Sequence, residues 1–551
     1  MSANPSTLVK RLLSDKRILL FALAFLIWLI ILIRALEVFT VGSPHVIMFH
    51  SDSAIVLLMA NEDRPATAYN IYFYGQDRFG AWPFLLAQFI HRVTGHYWSQ
   101  RALFIFQAIW LFTGALLFST LNRRREDVWI GLLFLLPLCL HIRARQTLFD
   151  LSQPYAWQTT ALIFSWWCLR RFCEYCFPPA DDNKSKVRKR VWGALLFWFS
   201  LLAILSSTVS TPILIFLIIL EVARAVHKAC GKQSLKSVGR RLIQVALPIA
   251  AAAATEFLLR VSYHRYSLKH FGHDNRTTIV LDSGHLIDNL SNQWTRFTES
   301  PWWLLSLLPL LVFAVLSARY IYLHKGDREK LLGNLRKLFL EDTAVLVIGT
   351  YGIGLISFVI TVLVSHVRAN DYSERYLAVS FLFISFSGLL TLWLLAGKVK
   401  KYRLAATSVL AFAALLFLFI NFPRAMINPL YLTLQETAQH LSQNAPGNVL
   451  LGGYWETYVF AALDAKHAIV PIPAEGESMR TPWTTEALKR ADQVIVEHHR
   501  KEMSDRLGGP FAPPPELVQY GETLRLVAPR WYVNGEYVFS IYKHEIQQPR
   551  P

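Results

Sequence analysis

The sequence predicts an α-helical polytopic membrane protein, with about 11 transmembrane helices plus interfacial helices, followed by a small C-terminal α/β domain on the extracytoplasmic side. Three observations predict it. The 551 residues are 53% hydrophobic and 13% aromatic, and the apolar ones come in long runs rather than in the alternation of a soluble core. More than half of the 56 Lys and Arg residues fall in short segments between those runs, the asymmetry that orients a chain in a bilayer. From Phe422 onward the chain is more polar and mixes strand and helix patterns. The net charge of +18 therefore belongs to topology, and its confinement to loops beside apolar runs argues against a nucleic-acid partner.

The first run, Ile18 to Leu36, is about as long as a span and has no small-residue cleavage site after it, so it is expected to remain as the first helix rather than leave as a signal peptide. Further runs fall near residues 98–121, 128–142, 155–169, 191–207, 211–223, 242–259, 302–321, 343–364, 377–396 and 404–421. Those at 128–142 and 211–223 are shorter than the roughly 20 residues of a full crossing. With the N-terminus in the cytoplasm, Arg123-Arg124-Arg125, Lys186-Val187-Arg188-Lys189-Arg190 and Lys398-Val399-Lys400-Lys401 all lie inside. Segments 37–97, 143–154, 260–301 and 365–376 are then outside, as is the tail. Residues 1–421 are the expected transmembrane domain and 422–551 the extracytoplasmic one.

In the first outer loop, 37–97, Ala54 to Ala60 and Phe79 to Val93 carry apolar residues at helical spacing and are expected to lie in the membrane interface. In the tail, Asn448 to Leu451, Gln493 to Glu497, Leu524 to Pro529 and Tyr537 to Tyr542 read as strands, and Asn534-Gly535 as a hairpin turn. Leu430 to Ser442 and Thr485 to Arg490 read as helices. Cys139, Cys168, Cys173, Cys176 and Cys230 all fall in spans or predicted cytoplasmic segments, so no disulfide framework is expected, and Cys173 with Cys176 fits membrane-edge packing better than half a zinc site.

Asp52 closely follows the first run and opens an apolar helix, in Phe49-His50-Ser51-Asp52-Ser53-Ala54. A carboxylate there suits a general base or orienting group at the membrane surface, and equally suits a helix cap. After it come Tyr74-Gly75-Gln76-Asp77-Arg78-Phe79-Gly80 before an apolar helix, Glu374-Arg375-Tyr376-Leu377 at the opening of a late span, and an outer tail. In this order and topology the chain resembles the GT-C class of membrane glycosyltransferases, which includes protein O-mannosyltransferase and aminoarabinose transferase-like enzymes of families 39 and 83.

The resemblance implies an inverting glycosyltransferase that takes a sugar from a polyprenyl-phosphate donor and places it on a glycan, lipid or protein acceptor at the outer face. It implies that Asp52 is catalytic and that Arg375 and Tyr376 lie beside the donor phosphate. A guanidinium can hold a phosphate through paired N–H donors, whereas the alternative for Arg375 is an interfacial anchor. Similar enzymes often carry a paired acid where this chain has Asp52-Ser53. Glu62, Asp63 and Asp77 are candidates for a second acid from the same loop, and a divalent metal ion is left open.

Further candidate phosphate ligands are Arg368, and Arg143 and Arg145, which stand outside after the third run against the charge pattern. Gln76, Glu256 and Arg260 are candidates to line the cavity, although Glu256 and Arg260, one turn apart, can simply pair. The loop histidines His264, His270 and His273, with Asp274, lack metal-ligand spacing. Tyr454-Trp455-Glu456-Thr457-Tyr458 suits packing on the membrane domain better than stacking on sugar. A bacterial inner membrane, with a periplasmic tail and membrane lipids as partners, is the expected location. The alternatives are a transporter or flippase of a lipid-linked or anionic solute, and a noncatalytic envelope-assembly protein.

Overall fold

The computed structural model describes residues 26, 29, 30, 33, 51–64, 67–73, 76–121, 131, 133, 134, 136–138, 147–177, 183–229, 235–271, 283–325, 327–364, 367, 373–397, 429–464, 466–477, 481–499, 512–534 and 537–544. Among them, seven helices are long and apolar enough to cross a bilayer: Gln100–Ser119, Lys186–Ser206, Ser210–Lys228, Lys236–His270, Pro301–Leu323, Asp342–Leu363 and Arg375–Leu395. The chain is a multi-pass membrane protein. The expected span at 404–421 and most of those at 18–36 and 128–142 lie outside the described residues.

Helix α1 (Ser51–Ala60) departs from the interfacial expectation. Ala54, Ile55, Val56, Met59 and Ala60 are all buried, because the helix is apolar around its circumference and fills the space between α2 (Trp82–Thr94) and a tail helix. Helix α2 does have the interfacial pattern. Leu86, Phe89 and Val93 form an exposed apolar stripe while Ala87, Gln88 and His91 face inward, as a helix lying against lipid requires.

Central to the bundle is α4 (Tyr155–Cys176), which packs against α3 (Gln100–Ser119), α5 (Asn183–Ser206) and α6 (Ser210–Lys228). Helix α6 is longer than the run 211–223 suggested, because the charges that ended the run, Glu221 and Arg224, are buried. Helix α7 (Leu235–Phe271) spans 37 residues, about 55 Å at 1.5 Å per residue and well beyond a hydrocarbon core of about 30 Å. Residues 260–271, expected as loop, are helical. They continue because their inner face packs on Tyr69 and Tyr72 of the first loop. The later helices are α8 (Ser283–Thr298), α9 (Leu307–Leu323), α10 (Arg328–Leu340), α11 (Asp342–Leu363) and α12 (Ala378–Gly397).

Strands β1 (Tyr72–Phe73) and β2 (Gln76–Gly80) form a small antiparallel ribbon in the first loop. Gly80 lies against α5 so closely that a Cβ there would sit 2.7 Å from the Leu205 carbonyl oxygen. The tail holds a six-stranded mixed sheet of order β4-β3-β5-β8-β7-β6. Its strands are β3 (Val449–Gly452), β4 (Val470–Pro473), β5 (Gln493–His499), β6 (Glu516–Gln519), β7 (Glu522–Asn534) and β8 (Tyr537–His544). Strand β3, second from one edge, is parallel to its neighbours β4 and β5, and the rest pair antiparallel. The register is that of side chains alternating across a pleat. Val449, Leu451, Val494 and Val496 build a core on one face, while Leu450, Ile495, Phe539 and Ile541 join the core that runs into the bundle. On that second face sit α13 (Pro429–Asn444) and α14 (Tyr454–Leu463), and α14 packs directly on α1.

Candidate active site

Asp52 lies in the first turn of α1, where the helix dipole favours a carboxylate. It is only part-buried, and the Tyr454 hydroxyl on α14 donates to its Oδ1 at 3.4 Å. Next to it Ser53, 2% exposed, donates to Asp150 Oδ1 at 3.4 Å. Asp150 also accepts from the Ser152 amide and hydroxyl at 2.9 and 2.8 Å, and the preceding Leu148 carbonyl is held by Gln107 Nε2 at 2.9 Å. Asp150 is thus the acid that stands beside the Asp52-Ser53 step. The sequence reading missed it, although Asp150-Leu151-Ser152-Gln153-Pro154 ahead of α4 is a legible turn.

Arg375 and Tyr376 lie in a 3-10 turn, Glu374–Leu377, that leads into α12. Arg375 Nη2 donates to the Tyr376 hydroxyl at 3.1 Å, and the guanidinium sits 5.0 Å from the centre of that ring. Asp52 and the Tyr155 phenol lie within Coulombic range of Arg375, so residues from the first loop and the last described span share one neighbourhood. Beside them is a cavity of about 130 Å³ whose walls include Tyr155, Gln158, Thr208, Arg260, Thr361 and Tyr376.

Arg260 is set in that wall by Glu256, whose Oε1 accepts from Arg260 Nη2 at 2.6 Å and Nε at 2.9 Å. Tyr72 donates to the same carboxylate oxygen at 2.9 Å, and the Arg260 guanidinium lies 5.4 Å over its ring. Burial, with the Glu256 carboxylate beside it, pushes the Tyr72 phenol up from its ordinary value, so it stays a neutral donor. Arg260 is therefore both paired and cavity-lining, two roles that the one-turn spacing alone leaves as alternatives.

The other candidates fall elsewhere. The Asp63 carboxylate meets His91 Nε2 at 3.1 Å and is otherwise exposed. Glu62 lines a second cavity, of about 420 Å³, with Arg64, Tyr69, Tyr266, His270 and Trp483. Gln76 and Asp77 lie on β2. Their side chains are outside the described residues, as are Arg143, Arg145, Arg368, His273 and Asp274. His264 and His270 lie on α7 rather than in a loop. Among the described residues no three His, Cys, Asp or Glu side chains converge as metal ligands.

A second charged constellation, also missed by sequence reasoning, is buried in the bundle. Glu221 accepts from Trp166 Nε1 at 2.7 Å, Arg170 Nε at 2.9 Å and Arg224 Nε at 2.6 Å. Arg224 reaches Asp342 at 3.0 Å, and Lys228 reaches it at 2.6 Å. The sequence signal was an acid and a base at i, i+3 inside α6, which an apolar-run count treats as the end of a span.

The fold and site define a polytopic helical membrane protein whose sheet domain rests on the acid-bearing helix at one end of the bundle. The chain is similar to ArnT from Cupriavidus metallidurans bound to undecaprenyl phosphate, at 13% identity over 97% of this chain and 99% of that one, with a TM-score of 0.43. It is similar to the apo state of the same protein at 12% identity over 95% and 97%, with a TM-score of 0.44. It is also similar to the archaeal oligosaccharyltransferase AglB from Archaeoglobus fulgidus, in complex with an inhibitory peptide and a dolichol-phosphate. That match is at 10% identity over 90% of this chain and 71% of that one, with a TM-score of 0.47. No protein-family model matches the sequence, and no curated protein matches it.

Proposed function

We propose that the chain is an inverting glycosyltransferase that moves a sugar from a polyprenyl-phosphate donor to an acceptor at the outer face of the membrane. The observation that carries this reading is that Asp52, from the first loop, lies within Coulombic range of Arg375, beside a cavity that Tyr376 and Arg260 line. The motif resemblance points the same way. Asp52 takes the proton of the acceptor hydroxyl as its oxygen bonds to the anomeric carbon, and the bond from that carbon to the phosphate oxygen breaks with its electron pair leaving on the lipid phosphate. One displacement inverts the anomeric centre. The Arg375 fork and Arg260 stabilise the departing phosphate, with Tyr376 holding the fork in place. Asp150, reached through Ser53, orients the first turn of α1, which carries the base.

On this reading the N-terminus is cytoplasmic, and the sheet domain lies in the periplasm of a bacterial inner membrane. Arg143, Arg145 and Arg368 would add phosphate contacts. A transporter would need charges along a path through the mid-bilayer, and the Glu221 network, with each of its charges paired, offers no such path. The test is purified chain supplied with a radiolabelled polyprenyl-phosphate sugar and a membrane extract. Asp52→Asn abolishes transfer and keeps donor binding. Donor binding by the wild type without turnover on any acceptor fraction would favour the noncatalytic reading instead.

A further inference from the structure

The inner face of α7 beyond Arg260 has no part in the mechanism above. Glu256, Arg260, Tyr263, Tyr266 and His270 recur three and four residues apart, so they form one stripe along the helix. Its lower end, at Arg260, lines the first cavity, and its upper end, at Tyr266 and His270, lines the second. Arg260 and His270 are about 15 Å apart along the axis. Between them stands a wall of rings, with Tyr263 packed 5.1 Å from Tyr72 and 6.0 Å from Tyr69, the latter a wall residue of the second cavity.

The second cavity, about 420 Å³, lies within the size range of small-molecule sites. It forms where the first loop, the projecting end of α7 and the tail segment at Trp483 and Glu486 meet, and such junctions favour ligand sites. Its walls mix aromatic rings with fixed polar groups. Trp483 has Tyr69 edge-on at 6.0 Å. Glu62 is held in place through its main-chain carbonyl, which accepts from Gln88 Nε2 at 2.7 Å, and through Oε1, which accepts from the Arg64 amide at 3.2 Å and leaves Oε2 for a ligand; its side chain is 20% exposed.

That combination fits a sugar ring. The C–H face of a pyranose packs on an indole, while carboxylates accept from adjacent hydroxyls, two oxygens to two donors. The Glu62 carboxylate lies 3.9 Å from Arg64 Nε and that of Glu486 3.2 Å from Lys489 Nζ, so the wall carries no excess of positive charge for an anion, and its polar groups disfavour a lipid chain. Arg64 lies over the Trp483 ring at 5.3 Å and is half-exposed, a weak contact that a stacking sugar readily displaces.

We infer that this second cavity binds a neutral saccharide. That the saccharide is the acceptor glycan rests on the transferase reading; that the cavity holds one does not. The ring wall then separates acceptor recognition above from donor phosphate below, along a single helix.

The full chain in detergent, applied to an array of neutral and acidic oligosaccharides, tests it. Wild type is expected to bind neutral members, and Trp483→Ala and Glu62→Gln each to lose at least about tenfold in affinity, with melting temperatures matching wild type. Trp483→Phe keeps an aromatic face and most of the binding, which carries the test if the alanine variant does not fold. In a transfer assay Trp483→Ala raises acceptor KM with little change in kcat. Wild type that binds no oligosaccharide, or binding undiminished in both Trp483→Ala and Glu62→Gln, overturns the assignment. Saccharide binding by a chain that binds no polyprenyl phosphate supports the cavity and overturns the donor reading instead.

Discussion

Replacing Tyr454 by Phe isolates what the sheet domain contributes to Asp52. The phenol reaches Oδ1 at 3.4 Å, the outer limit of a hydrogen bond. Its loss is therefore worth at most about 1 kcal/mol, or roughly fivefold in rate. Asp52→Asn keeps the size and removes the proton acceptor, and a positioned general base contributes about 10²–10⁴-fold. Tyr454→Ala adds the loss of a ring that is 7% exposed. Such large-to-small changes cost about 3–5 kcal/mol, so this variant loses stability as well as rate. The assay is transfer from a radiolabelled polyprenyl-phosphate sugar into the glycan, lipid and protein fractions of a membrane extract, with donor binding and a thermal melt for each variant. The expected order is wild type, then Tyr454→Phe close behind, then Asp52→Asn far below, with donor binding alike in all three. A Tyr454→Phe defect as deep as that of Asp52→Asn would mean that the phenol handles the proton. Undiminished turnover in Asp52→Asn would refute the base altogether.

Arg375→Lys keeps the charge and loses the fork, so donor KM is expected to rise about tenfold with a smaller change in kcat, read by steady-state kinetics. Gly80→Ala forces a methyl group onto the Leu205 carbonyl and should cost about 1–3 kcal/mol, seen as a lower melting temperature. His498, buried on β5, has its imidazole lowered from 6.5 to about 4 by burial. The unfolded chain therefore binds the proton first, and the stability from this group is complete above pH 6.5 and lost as pH falls through about 4, amounting to roughly 3 kcal/mol. The melting temperature should drop over that interval in wild type and less steeply in His498→Leu.

Much of the fold was legible because each long apolar run has one physical use. The tail hairpin near Asn534-Gly535 was equally plain, and β7 pairs antiparallel with β8, although Asn534 stands opposite Tyr537 and so belongs to the strand rather than to the turn. Strands β4 and β6 went unread because Val470-Pro471-Ile472-Pro473 looks like a breaker, and Glu516-Leu517-Val518-Gln519 is an edge strand whose sequence does not alternate polar with apolar. α1 was placed in the interface because composition does not tell a helix lying on lipid from one buried beneath a domain. At the candidate site, Asp52 and Arg375 were singled out as residues that follow or open spans. Asp150 was not, since its place beside Ser53 depends on how a later turn folds back. The face of α7 was missed because a run-based reading stops a helix at its first charges, whereas this helix continues on aromatic contacts.

The buried Glu221 network bears on why the site can be built from helix ends. α4 runs from Tyr155 at the cavity to Arg170, α6 from Ser210 to Arg224, and α11 from Thr361 back to Asp342. At 1.5 Å per residue the two ends lie about 20–30 Å apart. Arg170 also donates to the Leu121 carbonyl at 3.1 Å, which ties the chain just after α3 to the same cluster. Sliding any one of these helices by a turn would separate buried opposite charges, at about 3–5 kcal/mol for each pair broken. The network thus fixes the axial register of the helices whose other ends wall the cavity. Glu221→Gln removes the charge that neutralises two arginines, each 2% exposed, and is expected to lower the yield of folded protein and the melting temperature by an amount matching a loss of about 3–5 kcal/mol. The folded fraction that survives is expected to have a shifted register, so its donor KM should rise although the substitution lies about three helical turns from the cavity end of α6. An unchanged KM in a destabilised Glu221→Gln protein would show that the clamp secures the fold without setting the site.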